Sequence, residues 1–131
     1  MFSVTLANGK QFLVKEGQTI LEGAKDNSIA IAYSCRLGRC GACAVPLMSG
    51  ETKVSIDEDS LSSSELSSGL ILTCCRIPTS DICLDTIDLD GLSGLNAVTL
   101  PAKVDRITRL CKDVLEVILR FPENTKFKFT Y

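Results

Sequence analysis

Five of the seven cysteines in this 131-residue chain fall into two groups that could together bind a metal. Cys35, Cys40 and Cys43 follow a C-x4-C-x2-C spacing, and Cys74 and Cys75 follow much later in the chain. Thiolates are soft ligands that suit zinc and iron–sulfur clusters. A tight loop can provide three sulfurs, whereas a fourth has to come from elsewhere in the fold. We therefore expect the loop and the distant segment to meet at one metal site.

The spacing discriminates between the kinds of site. Structural zinc sites usually combine two short C-x2-C pairs, whereas this chain has one such pair, preceded by a cysteine at the longer x4 spacing. A redox-active Cys40–Cys43 pair would belong at a helix start in a βαβ unit, which the sequence does not predict. A chance cluster of inert thiols is the least favoured alternative. The C-x4-C-x2-C run with a distant fourth cysteine is instead similar to the spacing of plant-type 2Fe–2S centres.

The fourth ligand is left open by the local pattern. Gly38 and Gly41 would let the loop direct backbone N–H groups at the sulfurs, since glycine permits the required dihedral angles. The apolar run Leu70–Arg76 predicts a buried strand that ends before Pro78. Adjacent residues of a strand point to opposite faces, so only one of Cys74 and Cys75 could reach the cluster.

Composition excludes several classes of function. The chain has no histidine, which excludes His-containing zinc sites and His-based acid–base catalysis. It carries 14 basic and 16 acidic side chains with no basic stripe, so we expect no nucleic-acid partner. No signal peptide or membrane-spanning run is visible, so we expect no membrane association. A reducing, cytoplasmic setting is predicted, where clustered cysteines more often bind metal than form disulfides.

The elements predicted around the loop are those of an α+β domain. Alternating patterns predict strands at Phe2–Leu6 and Lys10–Val14, joined by an Asn8-Gly9 turn. A capping box at Thr19 and Glu22 predicts a helix to about Asp26. The remaining predictions are extended segments at Ile29–Tyr33 and Glu51–Ile56 and strands at Cys43–Met48, Leu70–Arg76 and Asp81–Asp85. A second capping box, of Ser62 and Glu65, predicts a short helix that ends at Gly69 and is docked by Leu61 and Leu66.

The C-terminal part differs from the rest in charge and pattern. Residues 1–88 contain seven basic and eleven acidic side chains, whereas residues 89–131 contain seven and five. We predict a domain over 1–88 and a linker over 89–97. Residues 98–131 are predicted to form three strands, although the spacing of their apolar residues also permits a helix. Because so short a sheet cannot build its own core, we expect an incomplete β segment.

The motifs around the cysteines resemble the plant-type 2Fe–2S ferredoxin family over residues 1 to about 88. They are Tyr-Ser-Cys-Arg-x-Gly-x-Cys-Gly-x-Cys at 33–43 and Leu-Thr-Cys at 72–74, followed by Pro78. The family's last ligand lies in the Leu-Thr-Cys motif, so the resemblance implies that Cys35, Cys40, Cys43 and Cys74 bind a 2Fe–2S cluster. It also implies a β-grasp ferredoxin-like fold, in which one main helix crosses a mixed sheet.

A closer resemblance is to the ferredoxin domain of iron–sulfur flavoprotein reductases, most similar to the CDP-6-deoxy-Δ3,4-glucoseen reductases of deoxysugar biosynthesis. It rests on the runs Thr-Ile-Leu-Glu-Gly-Ala at 19–24, Tyr-Ser-Cys at 33–35 and Ile-Leu-Thr-Cys-Cys-Arg at 71–76. In those enzymes an FAD-binding barrel and an NAD(P)H domain follow the ferredoxin domain. Residues 98–131 are therefore expected to be the truncated start of a flavin-binding β-barrel. The flavin-contacting motif would lie past Tyr131, so FAD and NAD(P)H are expected only in a full-length parent, and this chain is not expected to be a complete enzyme.

The resemblance implies one-electron transfer, from a reduced flavin on the missing flavin domain, through the cluster, to a protein electron acceptor. A ferredoxin-type component of an oxygenase reductase, a stand-alone ferredoxin and a zinc-binding structural module remain as alternatives. The exposed loop residues Arg36, Leu37 and Arg39 are expected to form the contact surface.

Two further expectations concern single side chains near the site. Arg39 stands before Cys40, where the family usually has a small hydroxyl residue. A cation there would stabilise the reduced cluster and raise its potential, although a solvated surface arginine is the simpler interpretation. Cys75, Cys83 and Cys111 are expected to be ordinary buried or spare thiols.

Overall fold

The structure is a computed structural model that describes residues 1–89 and 99–125. Its backbone divides into two compact units, Met1–Gly94 and Leu95–Tyr131. Within the described residues, the first unit carries both helices and the second carries a two-stranded sheet. No helix in this part of the chain is long and apolar enough to cross a membrane.

The first unit is a mixed sheet with one main helix, as predicted. Its sheet has the strand order β2-β1-β7-β3-β5, with β1 and β7 parallel and the other neighbours antiparallel. Strands β4 and β6 form a separate antiparallel pair. The elements are β1 (Phe2–Leu6), β2 (Gln11–Val14), α1 (Ile20–Asp26), β3 (Ala44–Ser49), β4 (Thr52–Val54), α2 (Ser63–Ser67), β5 (Leu70–Leu72), β6 (Arg76–Pro78) and β7 (Ile82–Leu84).

Helix α1 is fixed at both ends by side chains that the sequence identifies. The Thr19 hydroxyl accepts a hydrogen bond from the Glu22 amide, and the Glu22 carboxylate accepts one from the Thr19 amide at 2.8 Å. At the other end, the Asn27 side chain donates to the carbonyl oxygens of Gly23 and Leu13, which ties the helix to β2. The capping box predicted from Thr19 and Glu22 is therefore confirmed.

The hydrophobic core lies within the first unit and contains three of the cysteines. Cys43, Cys74 and Cys75 are buried with the aliphatic side chains of the sheet and of α1. The largest of the fully buried aliphatic side chains belong to Val4, Leu6, Val14, Ile20, Leu72 and Leu84. Because these sulfurs belong to the packed core, their positions are set by the fold and not by a mobile loop.

The segment 70–76 differs from the prediction of one continuous strand. Strand β5 ends at Leu72, β6 begins at Arg76, and Thr73–Cys75 form a turn that is closed by the Cys75 amide donating to the Leu72 carbonyl at 2.9 Å. The backbone groups of Thr73 bond to residues outside the β5–β6 segment. Its amide donates to the Cys43 carbonyl, and its carbonyl accepts from the Leu21 amide. An apolar run long enough for one strand is thus divided by hydrogen bonds to distant segments.

The other predicted segments contain little regular structure. Ile29–Tyr33, predicted to be extended, pairs with no strand, and within the predicted extended segment Glu51–Ile56 the strand β4 covers Thr52–Val54. Helix α2 has the predicted capping box of Ser62 and Glu65. Of its two proposed docking residues, Leu61 packs against the core, whereas Leu66 is 40% exposed.

The second unit contains an antiparallel hairpin of β8 (Lys103–Cys111) and β9 (Val114–Arg120). The register pairs Val104 with Leu119 and Ile107 with Val117. Because directly paired residues share a face, these four side chains form an apolar face, and each is about half exposed. Residues 126–131, at the end of the segment predicted to form three strands, and residues 90–97 of the predicted linker lie outside the described residues.

Candidate metal centre

The loop from Tyr33 to Cys43 folds around its own sulfurs. The Leu37 amide donates to Cys35 Sγ at 3.3 Å, and the Cys35 amide donates to Cys40 Sγ at 3.5 Å. Three residues of the loop adopt positive φ angles, namely Arg36, Gly38 and Gly41. The resulting turns direct backbone N–H groups at the thiol sulfurs, which is the arrangement that stabilises anionic sulfur.

These amides change the acidity of the first cysteine. The N–H of Leu37, the side chain of Cys40 and the N–H of Arg39, in that order, lower the pKa of Cys35 to about 7. Cys35 therefore forms a thiolate more readily than an ordinary cysteine, and the thiolate is the form that binds metal.

Gly38 is the point at which the loop contacts the rest of the site. A Cβ atom there would collide with the Asp57 carbonyl oxygen and would lie 3.1 Å from Cys75 Sγ. The Gly38 carbonyl accepts a hydrogen bond from the Ser60 amide at 2.9 Å. Residues 57–60 therefore pack directly on the loop, and this close approach requires glycine.

Cys43 and Cys74 form a second, buried sulfur pair. Their Sγ atoms lie 3.2 Å apart, and the residues are 3% and 4% exposed. The Thr73 amide donates to the Cys43 carbonyl, which holds the turn beside the start of β3. Burial raises the pKa of Cys43 to about 11 and also raises the pKa of Cys74. A bound cation reverses this effect, because a coordinating thiol is deprotonated.

The four sequence-predicted ligands are thus arranged as two pairs, Cys35 with Cys40 and Cys43 with Cys74. Within the described residues, no group of three or more Cys, Asp or Glu side chains is arranged to hold one metal ion. A 2Fe–2S cluster is held by four cysteines, two on each iron. A two-iron cluster therefore fits this site, which has paired sulfurs, backbone N–H donors aimed at them and a close backbone approach at Gly38.

Cys75 also lies beside the site, contrary to the argument from strand geometry. Its Sγ is 3.6 Å from Cys74 Sγ because the two residues share a turn and do not alternate along a strand. The premise that the two residues alternate along a strand is therefore wrong, whereas the choice of one sulfur as the ligand stays a prediction. Cys74 is the one within 3.2 Å of Cys43. Cys83 lies on β7 of the first unit, and Cys111 lies on β8 of the second.

The three loop residues expected to contact partners are all exposed. Leu37 is 58% exposed, and Arg39 is exposed beside Cys40. The Arg36 guanidinium carbon lies 5.0 Å from the ring centroid of Tyr33, within the range of a cation–π contact. One apolar side chain between two cations thus lies on the surface of the cysteine loop.

A cavity of about 120 Å³ lies between the start of α1 and the cysteine loop. Its lining includes Tyr33, Arg36, Ile56 and Cys74. The proposed ligand Cys74 therefore lines a cavity whose wall also carries an aromatic and a cationic side chain.

Sequence reasoning missed an ion pair that holds the site together. The Glu58 carboxylate accepts hydrogen bonds from the Arg76 guanidinium at 2.6 and 2.9 Å and from the Leu72 amide at 2.7 Å. The two side chains are 4% and 18% exposed. Glu58 is part of the acidic run Asp57-Glu58-Asp59, a pattern typical of a solvent-exposed surface. Only its burial in the structure distinguishes Glu58 from its two neighbours.

Ser60 is a second residue that the sequence does not single out. Its hydroxyl oxygen is buried and has no hydrogen-bond partner among the described residues. A Cβ atom on Gly41 would lie 3.6 Å from this oxygen. An unpartnered buried hydroxyl next to the cysteine loop is consistent with a site built to hold a group with hydrogen-bond acceptors, such as sulfide.

Comparison with known proteins gives a consistent result. Residues 4–79 match the family model described as "2Fe-2S iron-sulfur cluster binding domain". The chain is 39% identical over 111 residues to the CDP-6-deoxy-L-threo-D-glycero-4-hexulose-3-dehydrase reductase of Yersinia pestis, which covers 85% of this chain and 33% of that protein. It is 36% identical over 112 residues to the xylene/toluene monooxygenase electron transfer component of Pseudomonas putida, covering 83% and 31%.

Solved structures show the same relationship. The cytochrome P450 reductase GcoB of Amycolatopsis matches with a TM-score of 0.62 and 30% identity, over 98% of this chain and 38% of that one. The chain therefore spans about a third of the length of the curated relatives that it matches.

Proposed function

The chain belongs to the 2Fe–2S iron–sulfur cluster binding domain family, so it is an electron-transfer domain, and we propose that Cys35, Cys40, Cys43 and Cys74 are its cluster ligands. The observation that supports this choice is the arrangement of these sulfurs in two pairs around one glycine-containing loop. The exposed Cys40 and its partner Cys35 would hold the cluster on the side nearer the surface, and the buried Cys43 and Cys74 would hold it on the inner side.

The residues of the site position the ligands and stabilise charge. When bound, the cluster accepts and releases one electron without gaining or losing atoms. The amides of Leu37 and Arg39 point at the Cys35 sulfur, and the amide of Gly38 points at the Cys74 sulfur. These donors would stabilise the additional negative charge of the reduced state. The Glu58–Arg76 pair and the Leu21–Thr73 hydrogen bond fix the turn that carries Cys74. No proton donor or nucleophile is required of the protein.

The electron donor that we propose is the reduced flavin of an NAD(P)H-dependent flavin domain. The relatives are reductase and electron-transfer components, and this chain spans about a third of their length. Residues 98–131 are proposed to begin the flavin-binding barrel, and the apolar face of the β8–β9 hairpin would be covered by the strands that follow. FAD and NAD(P)H would bind to those parts of a full-length parent.

The acceptor that we propose is a partner enzyme, and a sugar dehydrase is favoured over an oxygenase. This preference rests on the higher identity to the deoxysugar dehydrase reductase, at 39%, than to the monooxygenase component, at 36%. Arg36, Leu37 and Arg39 would form the contact surface, since they are exposed between the proposed ligands Cys35 and Cys40. We place this exchange in the reducing cytoplasm, where clustered thiols stay available for metal.

Reconstitution of the 131-residue chain with ferrous iron and sulfide tests the cluster assignment. We expect equal amounts of iron and sulfide, visible absorption bands and an EPR signal that appears on reduction. Cys74→Ser is expected to lose the cluster, whereas Cys83→Ser is expected to keep it. A chain that forms no coloured species under these conditions, but binds zinc when zinc is added instead, would overturn the proposal.

A further inference from the structure

Cys75 is a buried thiol that the proposed ligand set does not use. The residue is 0% exposed, and its Sγ lies 3.6 Å from that of Cys74. The other acceptor near its sulfur is the Asp57 carbonyl oxygen, at 3.8 Å. A thiol carries one proton, so it can donate to only one of these two acceptors at a time.

The position of the Cys75 sulfur is set by the backbone on both sides. The Cys75 amide donates to the Leu72 carbonyl at 2.9 Å, and its carbonyl accepts from the Ser55 amide at 2.8 Å. Gly38 approaches from the cysteine loop so closely that a Cβ atom there would be 3.1 Å from the Cys75 sulfur. The short distance between the two sulfurs is therefore a consequence of the turn and of its packing.

The charge on Cys74 decides which acceptor the thiol uses. A cysteine that binds iron does so as a thiolate, so Cys74 is then an ionised acceptor at the shorter of the two distances. The Asp57 carbonyl is neutral and more distant. Because hydrogen bonds to ionised groups are about twice as strong as neutral ones, Cys74 becomes the stronger acceptor for the S–H of Cys75 once it binds iron.

We propose that Cys75 is a positioning residue that donates its thiol hydrogen to the Cys74 ligand sulfur and thereby raises the reduction potential of the cluster. This inference rests on the proposed function, because it takes Cys74 as a ligand. Reduction adds negative charge that spreads onto the ligand sulfurs, and hydrogen bonds to those sulfurs stabilise the reduced form. Losing the donor therefore shifts the potential to a more negative value.

The test compares midpoint potentials of the reconstituted 131-residue chain and its variants. Cys75→Ala removes the donor and is expected to lower the potential. Cys75→Ser keeps a hydroxyl donor and is expected to give a potential closer to that of the unsubstituted chain. Cys83→Ala, which removes a thiol from β7, is the matched control and is expected to leave the potential unchanged. Cys75→Val is a second donor-free variant for the case that Cys75→Ala fails to assemble a cluster.

The Fe–S stretching bands provide a readout that packing alone does not move. In the resonance Raman spectrum we expect the deuterium-induced shift of these bands to decrease when the donor is removed. Equal potentials for the unsubstituted, Cys75→Ala and Cys75→Ser chains would overturn the inference and leave the proposed function intact. A cluster that survives in Cys74→Ser but is lost in Cys75→Ser would instead overturn the ligand assignment.

Discussion

The carboxylate of Glu58 binds the guanidinium of Arg76 across the turn that carries Cys74, with N–O distances of 2.6 and 2.9 Å. The same carboxylate accepts a hydrogen bond from the Leu72 amide, so one buried side chain bonds to residues on both sides of the turn. This pair joins residues 57–60, which pack on Gly38, to the strands that flank the fourth proposed ligand. The site is therefore held by an interaction that uses no cysteine.

Glu58→Gln is expected to destabilise the first unit. Glutamine can still accept from the Leu72 amide, but it removes the charge that partners the partly buried Arg76. Hydrogen bonds to charged groups contribute about 1.5–3 kcal/mol, so we expect a loss of that size in the free energy of unfolding. Urea unfolding of the chain measures it.

The matched control for Glu58→Gln is Lys15→Gln. Lys15 pairs with Asp26 at 3.5 Å, but both side chains are more than half exposed. Exposed pairs contribute about 0–1 kcal/mol, so the control is expected to change little. Equal effects of the two substitutions would contradict the structural role assigned to the Glu58–Arg76 pair.

Gly38→Ala is expected to prevent cluster assembly. The residue has a φ of +75°, and its new Cβ atom would collide with the Asp57 carbonyl oxygen, which belongs to the backbone and cannot rotate away. We expect the iron bound after reconstitution to fall to a small fraction of that in the unsubstituted chain.

Gly9→Ala separates the steric clash from the cost of the dihedral angle. Gly9 has a φ of +81° in the β1–β2 turn, yet nothing lies within 4 Å of the position of its Cβ atom. Backbone strain of about 1–2 kcal/mol is expected there, with normal iron content. Normal iron content in Gly38→Ala would show that the loop accommodates the added Cβ atom, and would contradict the predicted loss of the cluster.

The sequence predicts the parts of the site that depend on local contacts and not those that depend on contacts between distant segments. The glycines and the ligand spacing are local, so the loop and its cysteines could be identified from the chain alone. The turn at Thr73–Cys75 could not be, because the Thr73 amide donates to Cys43 and the Thr73 carbonyl accepts from Leu21, and both partners are distant in the sequence. The capping boxes of α1 and α2 were predictable because both partners lie within four residues. Glu58 was not, because only tertiary packing distinguishes it from its acidic neighbours.

Arg39→Ser is expected to lower the midpoint potential of the cluster. Arg39 is exposed and directly precedes the proposed ligand Cys40, so its positive charge stabilises the reduced cluster through a largely aqueous environment. With water-like screening we expect a shift on the order of 20 mV, which a redox titration resolves. The shift should shrink at high salt, because salt screens exposed charges.

Lys15→Ser is the control for the Arg39 experiment. Lys15 follows β2, which forms the sheet edge opposite to β5, so its charge is remote from the Cys74 turn that follows β5. We expect its removal to leave the potential unchanged. A potential that does not move in Arg39→Ser would identify Arg39 as an ordinary solvated side chain.

The β8–β9 hairpin is expected to exchange its amide hydrogens quickly and to associate with other copies of the chain. Val104, Ile107, Val117 and Leu119 share an apolar face and are 49–57% exposed. A two-stranded sheet is marginally stable alone, and its unpaired edges invite further pairing.

Val117→Lys places a charge on the apolar face and is expected to reduce self-association, as measured by sedimentation velocity. Glu116→Lys, on the opposite face, is expected to reduce it less. Strong hydrogen-exchange protection of β8 and β9 in a monomer would show that the hairpin is already covered, and would contradict the proposal that later strands of a flavin-binding barrel complete it.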